Sequence, residues 1–390
     1  MSERPAALRG LPLLEDLGDV SGKRVLVRTD FNVPLTMTDH GPVVADDFRI
    51  RAALPTIEWL TAHGATVVCA SHLGRPKGTI DPSLSMAPVA ARLAELAPGV
   101  GLLENLRFDP RETDGDPSLS AELTDGFDAY VNDAFGVSHR SHASVVGPST
   151  LLPSAAGRLV EREVATLGGL LNDPRRPFVA IVGGAKVADK LGVVSALSKV
   201  ADSIIIGGGM AFTFLAAQGH TVGGSLLDET RLEDCRALLG GAASILLPLD
   251  IVALSPGGSF GPGETSGEVE TFDQDLPDGW IGLDVGPKST ALFSEAITAA
   301  GTVLWNGPMG AFEDQRFAEG TRSVGQAVAV SQARSVIGGG DSCRAIEEMG
   351  LSGDVDFMST GGGASLEFLE FGDLPALAAL RHAPNAPKGE

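Results

Sequence analysis

Four times after residue 176 the chain repeats one unit: a short apolar or β-branched run, a glycine cluster, then a stretch of helical character. "PFVAIVGG" leads into "AKVADKLGVVSALSKVA", "SIIIGGG" into "MAFTFLAAQG", "SVIGGGD" into "SCRAIEEMG", and "DFMSTGGG" into "ASLEFLEFG". Apolar runs of this length between helical patterns predict buried parallel strands in a doubly wound α/β sheet. The glycines then fall at the strands' carboxyl ends, where open α/β sheets bind ligands.

The first half alternates in the same way with different chemistry at the strand ends. "KRVLVRTDFNVP" carries Arg28, Asp30 and Asn32, and "ATVVCASHLGRPKG" ends in His72, Arg75 and Lys77. "GLLENLRF" ends in Arg107, and "AYVNDAFGVSHRSHAS" in Asn132, Asp133, His139, Arg140 and His142. One half presents glycines and the other arginines and histidines. At 390 residues the chain is long for one core, and 43% hydrophobic residues argue for packed domains. Between the halves Leu159, Val160, Glu163, Val164, Leu167, Leu170 and Leu171 follow a helical period that Asn172 and Pro174 close. The expectation is two α/β domains joined by that helix, divided near residue 172.

Glycines and cations together point to phosphate. "VGGAKVADK" sets Gly183 and Gly184 before Lys186 and Lys190, two of only seven lysines in the chain. Backbone N–H groups at such a turn, with the next helix's N-terminus, favour an anion. The spacing of the lysines places them on one helical face. The loop is not a Walker loop, because neither lysine is followed by a hydroxyl residue. In "GGGDSC" Asp341 can hold Mg2+ and Ser342 can donate to a phosphate; a glycine turn followed by an Asp cap is the plainer alternative. "LWNGPMGAFE" offers Asn306 at a turn and Glu313 as an acceptor for a ribose or a first-turn helix acid. In the first half Arg49, Arg75, Arg107 and Arg140 lie at or near expected strand ends and can fork onto phosphate or carboxylate.

Several classes fall away. A net charge of −21 disfavours polyanionic partners such as nucleic acid or anionic membrane. Three cysteines suit a reducing cytoplasm, and no apolar run approaches the length that spans a bilayer. His139 and His142 have no second ligand pair nearby, so zinc is not expected. A nicotinamide dehydrogenase needs an early G-x-G-x-x-G, and "VLVRTDFNVP" occupies that place. The competing class is a non-catalytic nucleotide or metabolite binder on the same fold. It would be favoured by the absence of Lys186, Arg49 or Asp341, all of which are present.

Ten blocks, in order, resemble the phosphoglycerate kinase family: "VRTDFNVP", "SHLGRPKG", "ENLRF", "VNDAFGVSHRSHAS", "GGAKVADK", "IIGGGMAFTFL", "LDVGPKS", "LWNGPMGAFE", "GGGD" and "STGGGASLEFLE". They run from residue 27 to about 370. The resemblance implies reversible phosphoryl transfer between 1,3-bisphosphoglycerate and ADP, giving 3-phosphoglycerate and ATP with Mg2+, in a cytoplasmic monomer that closes by hinge bending. It implies a triose-binding domain over 1–172, a nucleotide domain over 173–371, and a segment 372–390 returning near the first domain.

By the same resemblance Asp30, Asn32, Arg49, His72, Arg75, Arg107 and Arg140 hold the triose, with Phe31, Leu73 and Gly74 beside them. Gly184, Lys190, Gly282, Asn306, Glu313, Gly339, Gly340, Asp341 and Ser342 hold the nucleotide, Asp341 also holding Mg2+. Arg49 and Lys186 face the phosphoryl group in flight. The chain departs from the family at Phe48, where a small polar residue is expected. It departs again at Ser342, Cys343 and Arg344, where threonine and alanines are more usual; Arg344 is either an extra cation near the phosphates or on the helix's outer face.

Overall fold

A computed structural model describes residues 4–39, 41–261, 263 and 265–387. The ends of the expected first domain (1–3) and of the returning segment (388–390) lie outside the described residues. The chain forms two compact units, one running to Gly169 and resuming at Gly372, the other Leu170–Phe371. The division falls inside the helix Arg158–Asn172, which carries the chain from one unit to the other.

The first unit is built on β1 (Arg24–Thr29), a hairpin of β2 (Leu35–Thr38) and β3 (Gly41–Val44), β4 (Thr66–Ala70), β5 (Gly101–Leu102), β6 (Ala129–Asp133) and β7 (Ser154–Ala156). The main sheet is parallel throughout in the order β5-β4-β1-β6-β7. The order reverses beside β1, so the switch point lies between β1 and β6. Successive residues of β1 face opposite sides. Val25 and Val27 pack with Ile50, Ile57 and Leu60 of the helix Phe48–Ala62, while Leu26 packs with Ala70, Leu106 and Tyr130. Covering both faces explains why Val25, Leu26 and Val27 are apolar in succession. Each such buried aliphatic side chain stabilises by about 1.5–3 kcal/mol.

The C-terminal segment belongs to this unit. In the helix Pro375–Arg381, Ala376 packs against Ala134, Val137 and Val145, and its N–H donates to Ser138 O at 3.1 Å. Asn385 then ties to Ser154, accepting its N–H at 2.7 Å and donating to its carbonyl at 3.1 Å.

The second unit contains β8 (Phe178–Val182), β9 (Ser203–Ile206), β10 (Ser244–Leu246), β11 (Asp250–Leu254), β12 (Val269–Asp273), β13 (Ile281–Val285), β14 (Thr302–Asn306), β15 (Arg334–Gly338) and β16 (Phe357–Met358). The large sheet is parallel in the order β10-β9-β8-β14-β15-β16, with its switch point between β8 and β14. A second sheet, β12-β11-β13, is antiparallel, and the apolar-run reading did not anticipate it. Its outer strand β12 is mostly exposed and polar, so it carries none of the buried-strand signal. Gly282 on β13 passes close to Phe212, whose ring a Cβ there would meet at 2.2 Å.

Candidate functional site

In the first unit the candidate residues gather at the carboxyl ends of β1, β4 and β6. Asp30 follows β1 directly and is ion-paired with Arg49. Arg49 is not at a strand end, as the sequence suggested; it is the second residue of the helix Phe48–Ala62, reached after the hairpin. Phe48 opens that helix and is half exposed. Asn32 Oδ1 accepts the Gly74 N–H at 2.8 Å, and buried Phe31 donates its N–H to Ser71 Oγ at 2.8 Å. The segment after β1 is thereby stitched to the segment after β4.

Asn105 performs the same service further along. Its Oδ1 accepts the N–H groups of Leu73 and Arg107 at 3.2 and 3.1 Å, and its Nδ2 donates to Leu73 O at 2.8 Å. Arg107 reaches back through Nη1 to Gly74 O at 2.8 Å, while its Nε is buried with no partner among the described residues. Burial first, then the neighbouring Arg28, hold the Arg107 guanidinium below its ordinary pKa. Such an orphaned donor in a cationic cluster is what an arriving anion satisfies. Arg75 and Arg140 are exposed, Arg140 after the 3-10 turn Phe135–Val137.

Beneath this surface lies a support that spacing alone does not reveal. Arg28 is fully buried, donates through Nε to Ser144 Oγ at 2.9 Å, and places Nη2 3.3 Å from His72 Nδ1. Arginine can only donate, so His72 Nδ1 is the acceptor and the ring is neutral with its proton on Nε2. Burial first, then Arg28, depress the His72 pKa well below its ordinary value, in agreement. Ser144 Oγ passes the chain on, donating to the buried Glu112 at 2.6 Å. His139 is held down to about 4 by burial and then Arg140.

In the second unit the ends of β8, β9 and β14 are laced together by backbone. Gly183 N–H donates to Asn306 O at 2.9 Å, Gly184 to Pro308 O at 3.1 Å, and Gly208 to Met309 O at 2.9 Å. These approaches exclude side chains, since a Cβ at Gly183 would lie 2.1 Å from Pro308 O. Above this weave opens a cavity of about 490 Å3, floored by glycines such as Gly184, Gly208 and Gly282 and walled by Leu226, Phe260, Ile281 and Leu283. Glu313 and Asp341 are the carboxylates on its lining. Its size suits a small-molecule ligand.

The two lysines do not share a helical face. Residues 183–190 lie outside any helix, with a turn at 188–190, and the helix begins only at Leu191. Lys186 is exposed, whereas Lys190 folds inward, its Nζ donating to Gly183 O at 2.6 Å and to Asn306 Oδ1 and O at 2.7 and 3.1 Å. Burial lowers its pKa to about 8, with Asp341 opposing the shift. Asn306 is buried, and its Nδ2 has no partner among the described residues. Gly339 caps the helix Gly340–Glu348 with φ 87°, a Cβ there approaching Asn306 Nδ2 at 3.2 Å, and the space at Gly340 is open. Ser342 is buried, its Oγ accepting the Gly307 N–H at 2.5 Å. Arg344 pairs with both Glu313 and Asp341.

Comparison with known proteins fits this arrangement. The phosphoglycerate kinase family model matches residues 14–371. A phosphoglycerate kinase of Rubrobacter xylanophilus is 49% identical over 386 residues, covering 93% of this chain and 96% of the relative. One from Roseiflexus castenholzii is 48% identical over 395 residues, covering 94% and 98%. The solved phosphoglycerate kinase of Coxiella burnetii superposes with a TM-score of 0.83 at 35% identity, covering 93% of this chain and 97% of that one. The chain therefore belongs to the phosphoglycerate kinase family.

Proposed function

We propose that the two strand-end clusters divide one reaction between them. The enzyme is a phosphoglycerate kinase, moving a phosphoryl group reversibly between the acyl phosphate of 1,3-bisphosphoglycerate and ADP. In our reading the cationic cluster of the first unit takes the glycerate and the glycine-floored cavity of the second takes the nucleotide. The carrying observation is that cavity, at the β8/β14 switch point, with two carboxylates on its lining.

On the triose side, Asp30 and Asn32 take the hydroxyl and carboxylate end, while His72, Arg75, Arg107 and Arg140 take the phosphate. A neutral His72 serves as donor through Nε2, and the orphaned Arg107 Nε supplies another donor. On the nucleotide side, Gly184 and Gly282 let the ligand lie close to backbone, Glu313 accepts from the ribose, and Gly339 and Gly340 present a helix N-terminus to the phosphates. Lys190, Asn306 and Ser342 lie beneath, holding that floor in shape.

Mg2+ fits the donor set. Asp341 offers one exposed carboxylate, and the described residues hold no cluster of three potential ligands. Mg2+ is commonly held by one or two carboxylates with the remainder from phosphate and water. When bound, it would neutralise charge on the nucleotide phosphates.

The chemistry needs positioning more than proton transfer. A carboxylate is already ionised at neutral pH, so the 3-phosphoglycerate acceptor requires no general base. The loose transition state spreads charge over equatorial oxygens. Lys186, exposed after the glycines, and Arg49 are assigned to that charge. In-line transfer also calls for closure during turnover, which excludes water. We further take the enzyme to be a cytoplasmic monomer with only small-molecule partners. Its charge of −21 and its sparse set of three cysteines support that reading. No described helix is long and apolar enough to cross a membrane.

The test is a coupled assay from 3-phosphoglycerate and MgATP, comparing the parent with Lys186→Ala. We expect kcat to fall by about 10²–10³, the loss typical of one preorganised charge, with nucleotide affinity nearly unchanged. A variant that keeps the parent rate removes Lys186 from the transition state.

A further inference from the structure

Arg344 stands in the first turns of the helix Gly340–Glu348, three residues beyond Asp341. Its Nη2 lies 2.6 Å from Glu313 Oε1 and 3.3 Å from Asp341 Oδ1. The guanidinium carbon sits over the Phe312 ring, 4.8 Å from its centroid. All three side chains are partly open to solvent, at 44% for Arg344, 48% for Glu313 and 67% for Asp341. The helix itself is anchored by buried Ser342, Ala345 and Ile346. One guanidinium thus bridges the two carboxylates that line the glycine-floored cavity.

That placement has an electrostatic consequence. Two carboxylates on a lining repel a nucleoside polyphosphate, and a cation between them reduces the repulsion. A divalent metal arriving with the nucleotide would act on the same Asp341 carboxylate. The guanidinium and the metal are therefore partly redundant charges with a common partner. Two ligands that act on one group are coupled, and the coupling is reciprocal.

We propose that Arg344 is a positioning residue that substitutes in part for the metal's charge at the cavity. It holds Glu313 and Asp341 together in the absence of metal and narrows the gap in affinity between metal-free and Mg2+-bound nucleotide. This rests on the assignment of the cavity to the nucleotide. On arrival of the metal nucleotide the longer contact, to Asp341, gives way, and the shorter one keeps Glu313 in place.

The test is a double-mutant-style cycle with metal as one perturbation. Calorimetric Kd values for ADP, with EDTA and with saturating Mg2+, are measured at low salt for the parent chain, Arg344→Ala, Arg344→Gln and Arg344→Lys. The Gln variant keeps most of the side chain's length over Phe312, so a packing defect in the Ala variant does not confuse the result. We expect the ratio of metal-free to Mg2+-bound Kd to rise on the order of fivefold in both neutral variants, the lower end of typical coupling. Lys should restore most of the parent ratio, and high salt should shrink the difference, because exposed charges are screened. If both Kd values change by one common factor, or neither changes, or the ratio falls, Arg344 is no more than a structural tie and the proposal is wrong. If the parent chain binds neither form of ADP, the cavity's assignment fails, and the proposal with it, in a way distinct from an unchanged ratio.

Discussion

Lys190 and Asn306, 116 positions apart, are joined twice: the ammonium donates to the side-chain oxygen at 2.7 Å and to the backbone carbonyl at 3.1 Å. With Gly183 O at 2.6 Å these contacts occupy all three ammonium donors. The cation is thus fixed under the glycine floor rather than extended into the cavity. Its pKa, lowered by burial to about 8, leaves it half charged at pH 8. A polyphosphate bound above it favours the charged form. ADP binding at pH 8 should then draw in roughly half a proton, read as the dependence of calorimetric enthalpy on buffer ionisation enthalpy. Lys190→Met should abolish that uptake. An uptake near zero in the parent chain would confine Lys190 to holding the loop.

Two glycines of the second unit should respond to alanine with opposite changes in stability. Gly307 has φ 98°, and a Cβ there would lie 2.3 Å from Gly183 O and 2.6 Å from Lys190 Nζ. Strain of this kind costs about 1–3 kcal/mol before the clash is counted. Gly307→Ala should therefore lower the melting temperature and weaken ADP binding together. Gly340 opens a helix and has nothing within 4 Å of its ideal Cβ. Gly340→Ala should leave the fold as stable or slightly more so, by up to about 1 kcal/mol. If the nucleotide phosphates approach that backbone, its ADP affinity should nonetheless fall. Unchanged affinity would place the phosphates elsewhere.

Much of this was legible in the sequence for a physical reason. A parallel strand covered on both faces favours apolar residues at successive positions, and all five residues of Phe178–Val182 are apolar and buried. Glycine clusters and the Asp30, Asn32 and His72 positions follow such runs, so topology alone places them at the ligand edge. What stayed hidden depends on contacts distant in sequence. The lysine spacing suggested a shared helical face, but residues 183–190 lie outside any helix, and acceptors on Gly183 and Asn306 pull Lys190 inward. The antiparallel sheet escaped because Val269–Asp273 is exposed and mixed in character. Arg344 has two sequence readings, an extra cation near the phosphates or a residue on the helix's outer face; its bridge to Glu313 spans 31 positions, which spacing does not show.

The buried relay under the cationic cluster proposed for the triose makes Arg28 a sensitive position. Removing its guanidinium would leave His72 Nδ1 without its donor and Ser144 and Glu112 buried without their cation. Breaking a buried charged network by deleting one member costs about 3–5 kcal/mol. Arg28→Met should show that loss as faster hydrogen exchange at β1 and β6 amides. Affinity for 3-phosphoglycerate should fall, while ADP affinity, assigned above to the other unit's cavity, should stay close to the parent value. Equal loss of both affinities would indicate general unfolding rather than a local support.

Two buried aspartates set a pH dependence of stability opposite to the usual acid effect. Asp133 and Asp284 are each pushed up to about 7, burial being the largest cause in both. In the unfolded chain such groups titrate near 3.9. Between about pH 4 and 7 the folded state retains protons that the unfolded state has released, so stability falls as pH rises, by up to about 1.4 kcal/mol per pH unit per group. Asparagine separates the two sites. Asp133 Oδ1 accepts Leu159 N–H at 2.9 Å at the start of the helix Arg158–Asn172, while Oδ2 has no partner among the described residues. An amide nitrogen at the Oδ2 position meets no backbone donor, and the Thr56 hydroxyl, which donates to the Asp133 carboxylate and lowers its pKa, can accept from an amide instead. At Asp284 both oxygens accept, from Val285 at 2.9 Å and Gly320 at 2.7 Å, so an amide must point its nitrogen at an N–H. Melting temperatures from pH 5 to 8 should show Asp133→Asn with a flatter profile than the parent and a relative gain at pH 8. Asp284→Asn should be less stable across the same range. A parent profile that does not fall relative to Asp133→Asn would mean that Asp133 is ionised throughout, with the helix N–H groups outweighing burial.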